Sequence, residues 1–299
     1  MLNQTKKEKI QALTSEYEQL RGKHEDLLKI IAESELPDMV YNSNAIENSS
    51  LTLNETEMIL LDQALMREVS LREIYEATNL ARLIKHLWTV PKMELTIENF
   101  ESMHQILLGG INDNFAGRIR RTGEYVRVGW HIAPPPERVK PMLEDLIEEY
   151  NDDPDTYFLD KIADFHLQFE TIHPFCDGNG RMGRLLIDLQ LSALGYPPVI
   201  ILNKNKHKAY YPIFNEWRHK GKSDKFADYL YRAFSESLNK RLAYLRGNEI
   251  VKLSEYVKDG NLCASLYTNA AKRQTIPAFR QEGIWRIAKN YVKNANEEK

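Results

Sequence analysis

The residues of this chain with the most evident chemical capacity stand together between His173 and Arg184. The sequence there reads HPFCDGNGRMGR, which places an imidazole, a carboxylate, closely spaced glycines and two arginines in one short stretch. Gly178 and Gly180 allow a tight turn whose backbone N–H groups face inward, just before a helical pattern begins. Amides at the N-terminus of a helix bind anions, and phosphate above all. The spacing therefore predicts a phosphate site.

The charged side chains around this turn suit phosphate chemistry. Arg181 and Arg184 are three residues apart on the following helix, so both can form forked contacts with phosphate oxygens. Asp177 is a hard oxygen ligand of the kind that Mg²⁺ prefers. His173 ends the preceding helical pattern, and an imidazole can act as a general base near neutral pH. Together these residues predict a site for a phosphate-containing substrate.

A calcium loop does not explain this turn. Asp177, Asn179 and Asp188 would occupy positions 1, 3 and 12 of such a loop. Arg181 and Met182 would then fall where a ligand and a glycine are required. A structural helix–helix corner, with the arginines as a solvated face, stays an alternative interpretation.

The stretch His173–Arg184 resembles the signature of the Fic (filamentation-induced-by-cAMP) family, HPFx[DE]GNGRxxR, at every fixed position. Ile162–Ile172 is similar to the helix before the motif, Leu185–Tyr211 to the stretch after it, and Gly117–Pro136 to the flap hairpin of the family. The resemblance covers roughly residues 95–245. It implies a mainly α-helical Fic-type core with a small β-hairpin flap. It also implies transfer of AMP from ATP to a Tyr, Thr or Ser hydroxyl of a protein, with release of pyrophosphate.

The resemblance implies a role for each residue of the motif. His173 would take the proton from the target hydroxyl, and Asp177 would hold Mg²⁺ against the α- and β-phosphates. The amides of the Gly178–Gly180 turn would stabilise the charge that develops on the phosphate oxygens. Arg181 would contact the β-phosphate region and Arg184 the γ-phosphate.

The resemblance also implies contacts outside the motif. Tyr210 and Tyr211 would lie along the adenosine, although ordinary core packing explains these two rings equally well. Arg218 stands where some relatives have an asparagine near the nucleotide, so no contact is predicted there. Four flap residues would line the site and pair their backbone edge with an extended target segment; they are Val126, Arg127, Val128 and Gly129.

A second, shorter pattern lies N-terminal to the core. Residues 43–48, SNAIEN, match the inhibitory-helix pattern [ST]xxxE[GN], and their position resembles the subclass in which this helix precedes the Fic core. The resemblance assigns Ser43, Glu47 and Asn48 to that helix. A Glu47 carboxylate paired with Arg184 would occupy the arginine that should bind the γ-phosphate. A solvent-exposed ion pair of little consequence is the alternative.

Hydrophobic spacing predicts the elements that position these residues. An apolar stripe from Ile10 to Ile31 predicts one long amphipathic helix that ends at Pro37. Two helices, Tyr157–Ile172 and Arg181–Leu194, are predicted on either side of the motif. Gly195 is expected to end the second helix in a left-handed conformation.

The chain is predicted to consist of an N-terminal helical region (residues 1–94), a Fic domain (95–247) and a small C-terminal module (248–299). Val251–Lys299 contains nine Lys or Arg and five Asp or Glu residues. The run Thr275–Ile287 resembles the wing of excisionase-like winged helix-turn-helix modules. The module is therefore expected to be winged-helix-like, and either to bind DNA or to serve packing and protein docking.

Composition narrows the classes of function. A formal charge of −3 does not favour nucleic-acid or membrane binding by the chain as a whole. Two cysteines without a CxxC pair exclude a disulfide scaffold and a zinc finger, and they fit a reducing compartment. No apolar run has the length of a membrane helix, and the first residues lack a secretory signal. We therefore expect a cytoplasmic protein without a membrane partner.

Three functions are compatible with this sequence. The first is a protein adenylyltransferase that uses ATP and Mg²⁺, is autoinhibited by Glu47 and binds its target protein through the flap. The second is a hydrolase of the same fold that removes AMP from a modified protein, with Glu47 positioning a water. The third is a DNA-binding regulator whose Fic core senses a nucleotide. Self-AMPylation and a homodimer stay open.

Overall fold

The computed structural model describes residues 1–90, 92–129, 131–204 and 206–292. Over these residues the chain forms twelve α-helices, one π-helical turn (Lys206–Tyr210) and five short strands. The predicted mainly α-helical architecture is confirmed. The helices are α1 Gln4–Arg21, α2 Glu25–Ile46, α3 Leu53–Leu60, α4 Leu71–Thr89, α5 Ile97–Leu108, α6 Pro136–Asp152, α7 Phe158–Ile172, α8 Asn179–Ala193, α9 Tyr211–Lys220, α10 Asp224–Leu245, α11 Leu253–Asp259 and α12 Ala264–Arg273. The strands are β1 Arg127–Val128, β2 His131–Ile132, β3 Ile250–Lys252, β4 Phe279–Gln281 and β5 Ile284–Ala288.

Two compact units divide the chain. The first comprises Met1 and Leu36–Ala227, and the second comprises Leu2–Glu35 and Asp228–Lys299. Residues 293–299, which the sequence assigned to the C-terminal module, lie outside the described residues. The predicted domain boundaries after residues 94 and 247 stay predictions. All the predicted site residues belong to the first unit.

The core of the first unit is built on the apolar faces of α4, α5, α7 and α8. At its centre the ring of Phe100 meets Phe165 and Phe169 edge to face, with centroids 6.5 and 6.1 Å apart. Leu186 and Met182 of α8 are fully buried in the same core. This packing holds the end of α7 against the beginning of α8, which is where the His173–Arg184 stretch lies.

The two helices predicted on either side of the motif are confirmed. Helix α8 begins at Asn179, two residues earlier than predicted, because the left-handed Gly178 (φ 80°) directs the chain straight into the helix. Its C-terminal end has Gly195 in the predicted left-handed conformation, with φ 78°. A Cβ at Gly183 would lie 3.0 Å from the His166 ring, so the missing side chain allows α7 and α8 to approach closely.

The prediction of one N-terminal helix that ends at Pro37 is wrong. Helix α1 ends at Arg21 with Gly22 as its C-cap, and α2 begins at Glu25 and continues through Pro37 to Ile46. Proline inside a helix removes one hydrogen bond and costs about 3 kcal/mol. Burial of α2 residues in the core offsets this cost, since Val40 and Leu36 are almost fully buried there.

The small flap hairpin is confirmed, and its strands are only two residues long. β1 and β2 pair antiparallel, with Arg127 opposite Ile132 and Val128 opposite His131. The Ala133 N–H donates to the Val126 carbonyl at 3.0 Å and extends the pairing by one bond. Within the described residues, no helix has both the length and the apolar character needed to cross a membrane.

The second unit contains the C-terminal strands and helices. β3, β5 and β4 form an antiparallel sheet in that order, and α11 and α12 pack on it around a core that includes Leu253, Ala271 and Ile287. A hairpin therefore follows α12 at the position that the Thr275–Ile287 resemblance indicated. Lys272 and Arg273 at the end of α12 are exposed. DNA binding by this module stays a prediction.

Candidate active site

His173 ends helix α7 at the seam with α8. Its backbone is left-handed (φ 51°, ψ 62°), which is uncommon for a residue other than glycine, and its N–H donates to the Phe169 carbonyl at 2.9 Å. Burial lowers the pKa of the imidazole to about 4. The ring is therefore neutral at pH 7 and can accept a proton, as a general base must.

Arg120 holds the backbone around His173. Its side chain is buried, Nε donates to the His173 carbonyl at 2.9 Å, and Nη2 donates to the Ile172 carbonyl at 3.2 Å. The same guanidinium donates to the Pro134 carbonyl at 2.9 Å and to the Glu124 carbonyl at 3.1 Å, on the two sides of the flap. One side chain thus joins the end of α7 to the flap.

We expect Arg120→Met to destabilise the first unit. Methionine keeps much of the length but donates no hydrogen bond, and each buried carbonyl left without a donor costs about 1–3 kcal/mol. Urea unfolding should show a loss of at least that size. Arg121→Met is the matched control, because Arg121 is exposed and should unfold as the unchanged protein does. Equal stability of the two variants would contradict the role given to Arg120.

Asn179 closes the turn that follows His173. Its side chain accepts from the Phe175 N–H and donates to the Phe175 carbonyl, both at 2.8 Å. Gly178 has φ 80°, and a Cβ there would lie 2.9 Å from a Leu108 methyl, so glycine is required. As the N-cap of α8, Gly178 provides no side chain to cap the helix. The first amides of α8 are therefore suited to bind an anion.

His104, on α5, supports the same turn. The Gly117 N–H donates to His104 Nδ1 at 3.1 Å, which assigns the ring proton to Nε2. Nε2 then donates to the Asp177 carbonyl at 3.0 Å, and the ring stacks on Phe175 with centroids 3.9 Å apart. Burial lowers the pKa of His104 to about 4, so the ring keeps these roles at neutral pH.

Arg184 lies on α8, one turn beyond Gly180, and its guanidinium is bound by the end of α2. Nε donates to Ser43 Oγ at 2.9 Å, and Nη2 donates to the Ser43 carbonyl at 2.9 Å and to Glu47 Oε1 at 2.8 Å. Burial opposes the charge of this side chain, but Glu47 together with Tyr210 and Glu170 outweighs it and raises the pKa of Arg184. The structure thus brings together Ser43, Glu47 and Arg184.

We expect Ser43→Ala to lower the free energy of unfolding by about 1–3 kcal/mol, because it leaves a buried charged donor, Arg184 Nε, without its acceptor. The measurement is urea unfolding. Ser34→Ala on the same helix is the matched control, since Ser34 is exposed and, within the described part of the chain, its hydroxyl donates to the Ile31 carbonyl of its own helix. A Ser43→Ala protein as stable as the control would show that this contact contributes nothing.

The carboxylate of Glu47 lies over Gly180. A methyl group at Gly180 would overlap Glu47 Oε1 and would approach Arg184 Nη1 to 3.2 Å. The sequence predicts that phosphate oxygens bind beside the α8 amides and Arg184. In this structure the Glu47 carboxylate occupies that space.

The end of α2 is bound by the segment around the π-helical turn. Lys206 Nζ donates to the carbonyls of Ala45 and Ile46 at 2.6 and 2.9 Å and to Asn48 Oδ1 at 2.8 Å. The Tyr211 hydroxyl donates to the Ile46 carbonyl at 2.7 Å. A cation and a hydroxyl thus donate to the last carbonyls of this helix end, where the helix dipole favours positive charge.

Two residues of α4 pair with the other charged groups of the motif. Arg72 Nη2 contacts Asp177 Oδ2 at 2.6 Å, and Arg181 lies 3.4 Å from Asp177 Oδ1 and 3.3 Å from Glu76 Oε1. Burial opposes the charge of Asp177, but Arg181 and Arg72 lower its pKa below the usual value. Asp177 and Arg181 therefore both have protein partners here.

Asp177 fits Mg²⁺ by its chemistry. Among the described residues, no group of three or more His, Cys, Asp or Glu side chains could hold a metal ion. Mg²⁺ usually binds one or two carboxylates together with substrate phosphates and water, so a single carboxylate is sufficient. Arg72 would have to release Asp177 Oδ2 for such binding.

Tyr210 and Tyr211 differ in environment. The Tyr210 side chain is buried, and its hydroxyl lies 3.0 Å from His166 Nε2, while His166 Nδ1 lies 3.1 Å from the Gly183 carbonyl. Because Nδ1 must donate to that carbonyl, Nε2 accepts from Tyr210. Tyr211 is partly exposed. Of the two predicted adenosine contacts, Tyr210 is therefore engaged mainly in packing, and Tyr211 presents the more accessible ring.

The predicted flap residues lie on the surface. Arg127, Val128 and Gly129 are exposed and Val126 is half-buried. Arg127 Nε donates to the Gly129 carbonyl at 2.9 Å. The hairpin has two strands, so each has an outer backbone edge available for pairing.

Acid should destabilise this unit. Burial lowers the pKa values of His104 and His173 to about 4 and that of His166 to about 3, against 6.5 in an exposed histidine. As the pH falls, the histidines of the unfolded chain are protonated before those of the folded chain. The contribution of the neutral histidines to the free energy of unfolding is therefore fully present above pH 6.5 and decreases as the pH approaches the pKa values of the folded protein. We expect a loss of about 1–2 kcal/mol per histidine at pH 5. Urea midpoints at pH 7 and 5 for the unchanged protein and His166→Gln measure the histidine's share, because Glu170, whose pKa is raised, acts in the opposite direction in both proteins; His166→Gln should show the smaller loss of stability.

Several residues that shape the site were absent from the sequence predictions. Arg120 lies within the predicted flap stretch, where a run of arginines between glycines was the only signal. His104, Arg72 and Glu76 belong to helices α5 and α4, where no motif marks them. Each reaches the site through tertiary packing, so local spacing could not identify it.

Comparison with known proteins gives consistent results. Residues 94–191 match the Fic/DOC family. A protein adenylyltransferase Fic of Nematostella vectensis is 33% identical over 223 residues, which are 72% of this chain and 50% of that protein. The protein adenylyltransferase fic-1 of Caenorhabditis elegans is 34% identical over 178 residues, 57% of this chain and 34% of that protein. The chain thus spans half or less of the length of these relatives.

A solved structure supports the fold. The Fic-domain-containing signalling protein of Bacteroides thetaiotaomicron superimposes with a TM-score of 0.71 at 22% identity, covering 80% of this chain and 97% of that one. At this level of identity the similarity shows the fold alone, which is the predicted Fic-type helical core.

Proposed function

We propose that this chain, a Fic/DOC family protein by its residues 94–191, is a protein adenylyltransferase autoinhibited by Glu47. It would transfer AMP from ATP to a Tyr, Thr or Ser hydroxyl of a protein. One observation carries the proposal: His173, largely buried and neutral at pH 7, directly precedes the amide turn that opens α8, and Glu47 of the N-terminal pattern is bound to Arg184 of that helix.

The proposed reaction needs one proton transfer. The target hydroxyl oxygen bonds to the α-phosphorus, the bond between that phosphorus and the bridging oxygen of the β-phosphate breaks, and pyrophosphate leaves. His173 Nε2 takes the hydroxyl proton. The amides at the start of α8 donate to the phosphate oxygens, and Arg181 and Arg184 bind the β- and γ-phosphates. Mg²⁺ held by Asp177 would neutralise charge on the phosphates.

The inhibition follows from the contact between Glu47 and Arg184. With its Nη2 on Glu47 Oε1 at 2.8 Å, Arg184 cannot offer the same forked contact to a γ-phosphate. ATP bound without that contact would place its α-phosphate off the line of attack. Small displacements of this kind are costly when catalysis depends on position.

The flap supports main-chain recognition of the target. The β1–β2 hairpin has exposed side chains and an outer backbone edge. An extended target segment can add to such an edge as a further strand. Recognition would then depend mostly on backbone hydrogen bonds, and the hydroxyl residue would be placed opposite His173.

Intact-mass spectrometry tests the proposed transfer. Purified Glu47→Gly protein is incubated with ATP and Mg²⁺, alone and with a protein lysate, and adducts are mapped to peptides. The proposal expects AMP on a hydroxyl side chain. Addition of a phosphoryl group in place of AMP would overturn the assigned reaction, as would the absence of any adduct in both samples.

One observation also favours the hydrolase. The charge of the Glu47 carboxylate acts to raise the pKa of the His173 ring, although burial dominates and lowers it. A carboxylate at this place could orient a water toward a bound AMP ester. Release of AMP from a modified protein by the unchanged chain, lost in Glu47→Gly, would support this reaction.

A further inference from the structure

Glu170 is a largely buried carboxyl group that the proposed mechanism does not use. It lies on α7, one turn before His173, and its side chain is 12% exposed. Oε1 has no hydrogen-bond partner among the described residues. A buried acid without full hydrogen bonding is costly, so its presence at this position calls for a physical explanation.

The space for this carboxyl comes from α8. A side chain at Gly183 would overlap Glu170 Oε1, so the glycine leaves room for the acid at the helix seam. Burial, and then the charge of Glu47, raise the pKa of Glu170 to about 8, while Arg184 and Arg218 act in the opposite direction. The charge of Arg184, to which Glu47 is bound, therefore also acts on Glu170.

Two oxygens of Glu170 face the same ring nitrogen of His173. The backbone carbonyl is 3.4 Å from His173 Nδ1, and Oε2 is 3.8 Å from it. The second distance exceeds a hydrogen bond but lies within the range of an ion pair. Hydrogen bonds at active sites are often long before the substrate is bound and then tighten. With two acceptors on this side, Nδ1 is the nitrogen that carries the proton.

We propose that Glu170 is the positioning residue for His173: its carboxyl group orients the ring through Nδ1, leaves Nε2 free to accept the hydroxyl proton, and then balances the imidazolium charge. This inference rests on the proposed transfer of AMP. A carboxylate that holds an imidazole in one tautomer is a known way to strengthen a histidine base.

Glu47 affects this arrangement through its charge. While Glu47 occupies the site, the raised pKa keeps much of Glu170 protonated at pH 7, and a neutral acid compensates an imidazolium less well. Removal of Glu47 takes away that like charge and should lower the pKa of Glu170, so that a larger fraction of it is ionised, while burial continues to raise the pKa. Other charged groups that face His173 are Arg120 and His131, both of which lower its pKa, and Glu47, which raises it.

The test compares Glu170→Gln with Asp164→Asn, both in the Glu47→Gly protein. Asp164 is a partly buried acid on the same helix whose carboxylate accepts from Gln168 at 2.8 Å, so it is the matched control. We expect Glu170→Gln to lower kcat about tenfold or more, as loss of an orienting partner does, with KM for ATP unchanged. The acid limb of the pH–rate profile should move to lower pH. Asp164→Asn should change neither kcat nor the profile.

A second readout does not depend on transfer. Nitrogen NMR shifts of labelled His173 report which ring nitrogen carries the proton. We expect the Nδ1–H form in the Glu170 protein and a mixture in Glu170→Gln, with partial rescue by Glu170→Asp. An unchanged tautomer and unchanged kcat in Glu170→Gln would overturn the inference. A changed tautomer in a protein that transfers no AMP would support the positioning role and defeat the proposed function instead.

Discussion

Glu47→Gly is expected to transfer AMP about 100-fold faster than the unchanged protein, since a displacement of about 1 Å can cost that factor in a positional mechanism. The variant removes the carboxylate that lies over Gly180 and frees the Arg184 Nη2 proton that Glu47 accepts. Arg184 keeps its two contacts with Ser43, so the guanidinium stays in place to bind a γ-phosphate. The measurement is the initial rate of label transfer from ATP labelled in the α-phosphate.

Two further variants separate charge from shape. Glu47→Gln keeps the size of the side chain and one acceptor for Arg184 but loses the charge, so its rate should fall between those of the two other proteins. Glu33→Gly removes an exposed glutamate from the same helix and should transfer AMP no faster than the unchanged protein. Equal rates for the unchanged protein and Glu47→Gly would defeat the autoinhibition hypothesis.

His173→Ala in the Glu47→Gly protein is expected to lose AMP transfer by a factor of about 10²–10⁴, the usual contribution of a positioned general base. The buried rings of His104 and His166 cannot replace it, because each uses both ring nitrogens within the fold. ATP affinity should change little, since the amides of α8 and the arginines do not depend on the ring. Single-turnover rates and calorimetric titration with ATP measure the two quantities.

The control for this variant is His86→Ala in the same background. His86 is exposed on α4, so its removal should leave both transfer and ATP affinity unchanged. If His173→Ala transferred AMP at the rate of His86→Ala, the imidazole would not be the base. Loss of ATP binding together with transfer would instead indicate that His173 holds the turn in shape.

The sequence by itself was sufficient for the features that depend on neighbouring residues. Gly195 in its left-handed conformation, the two helices on either side of the motif and the hairpin all follow from turn residues and hydrophobic spacing. The reason is that a turn or a helix end satisfies its hydrogen bonds within a few positions along the chain. Local reasoning failed for Pro37, because burial of the surrounding helix offset the lost hydrogen bond.

Only the tertiary structure decided which distant groups besides Glu47 meet at the motif. Arg120 binds the carbonyl of His173 53 positions away, and Arg72 reaches Asp177 across 105 positions. The burial that makes His173 neutral and Glu170 hard to ionise likewise depends on how α7 packs against α8. Such contacts and such desolvation arise when helices that are distant in sequence pack together. Each helix has many surface positions that could have faced the site, and the packing determines which of them do. No local pattern in the chain therefore records them.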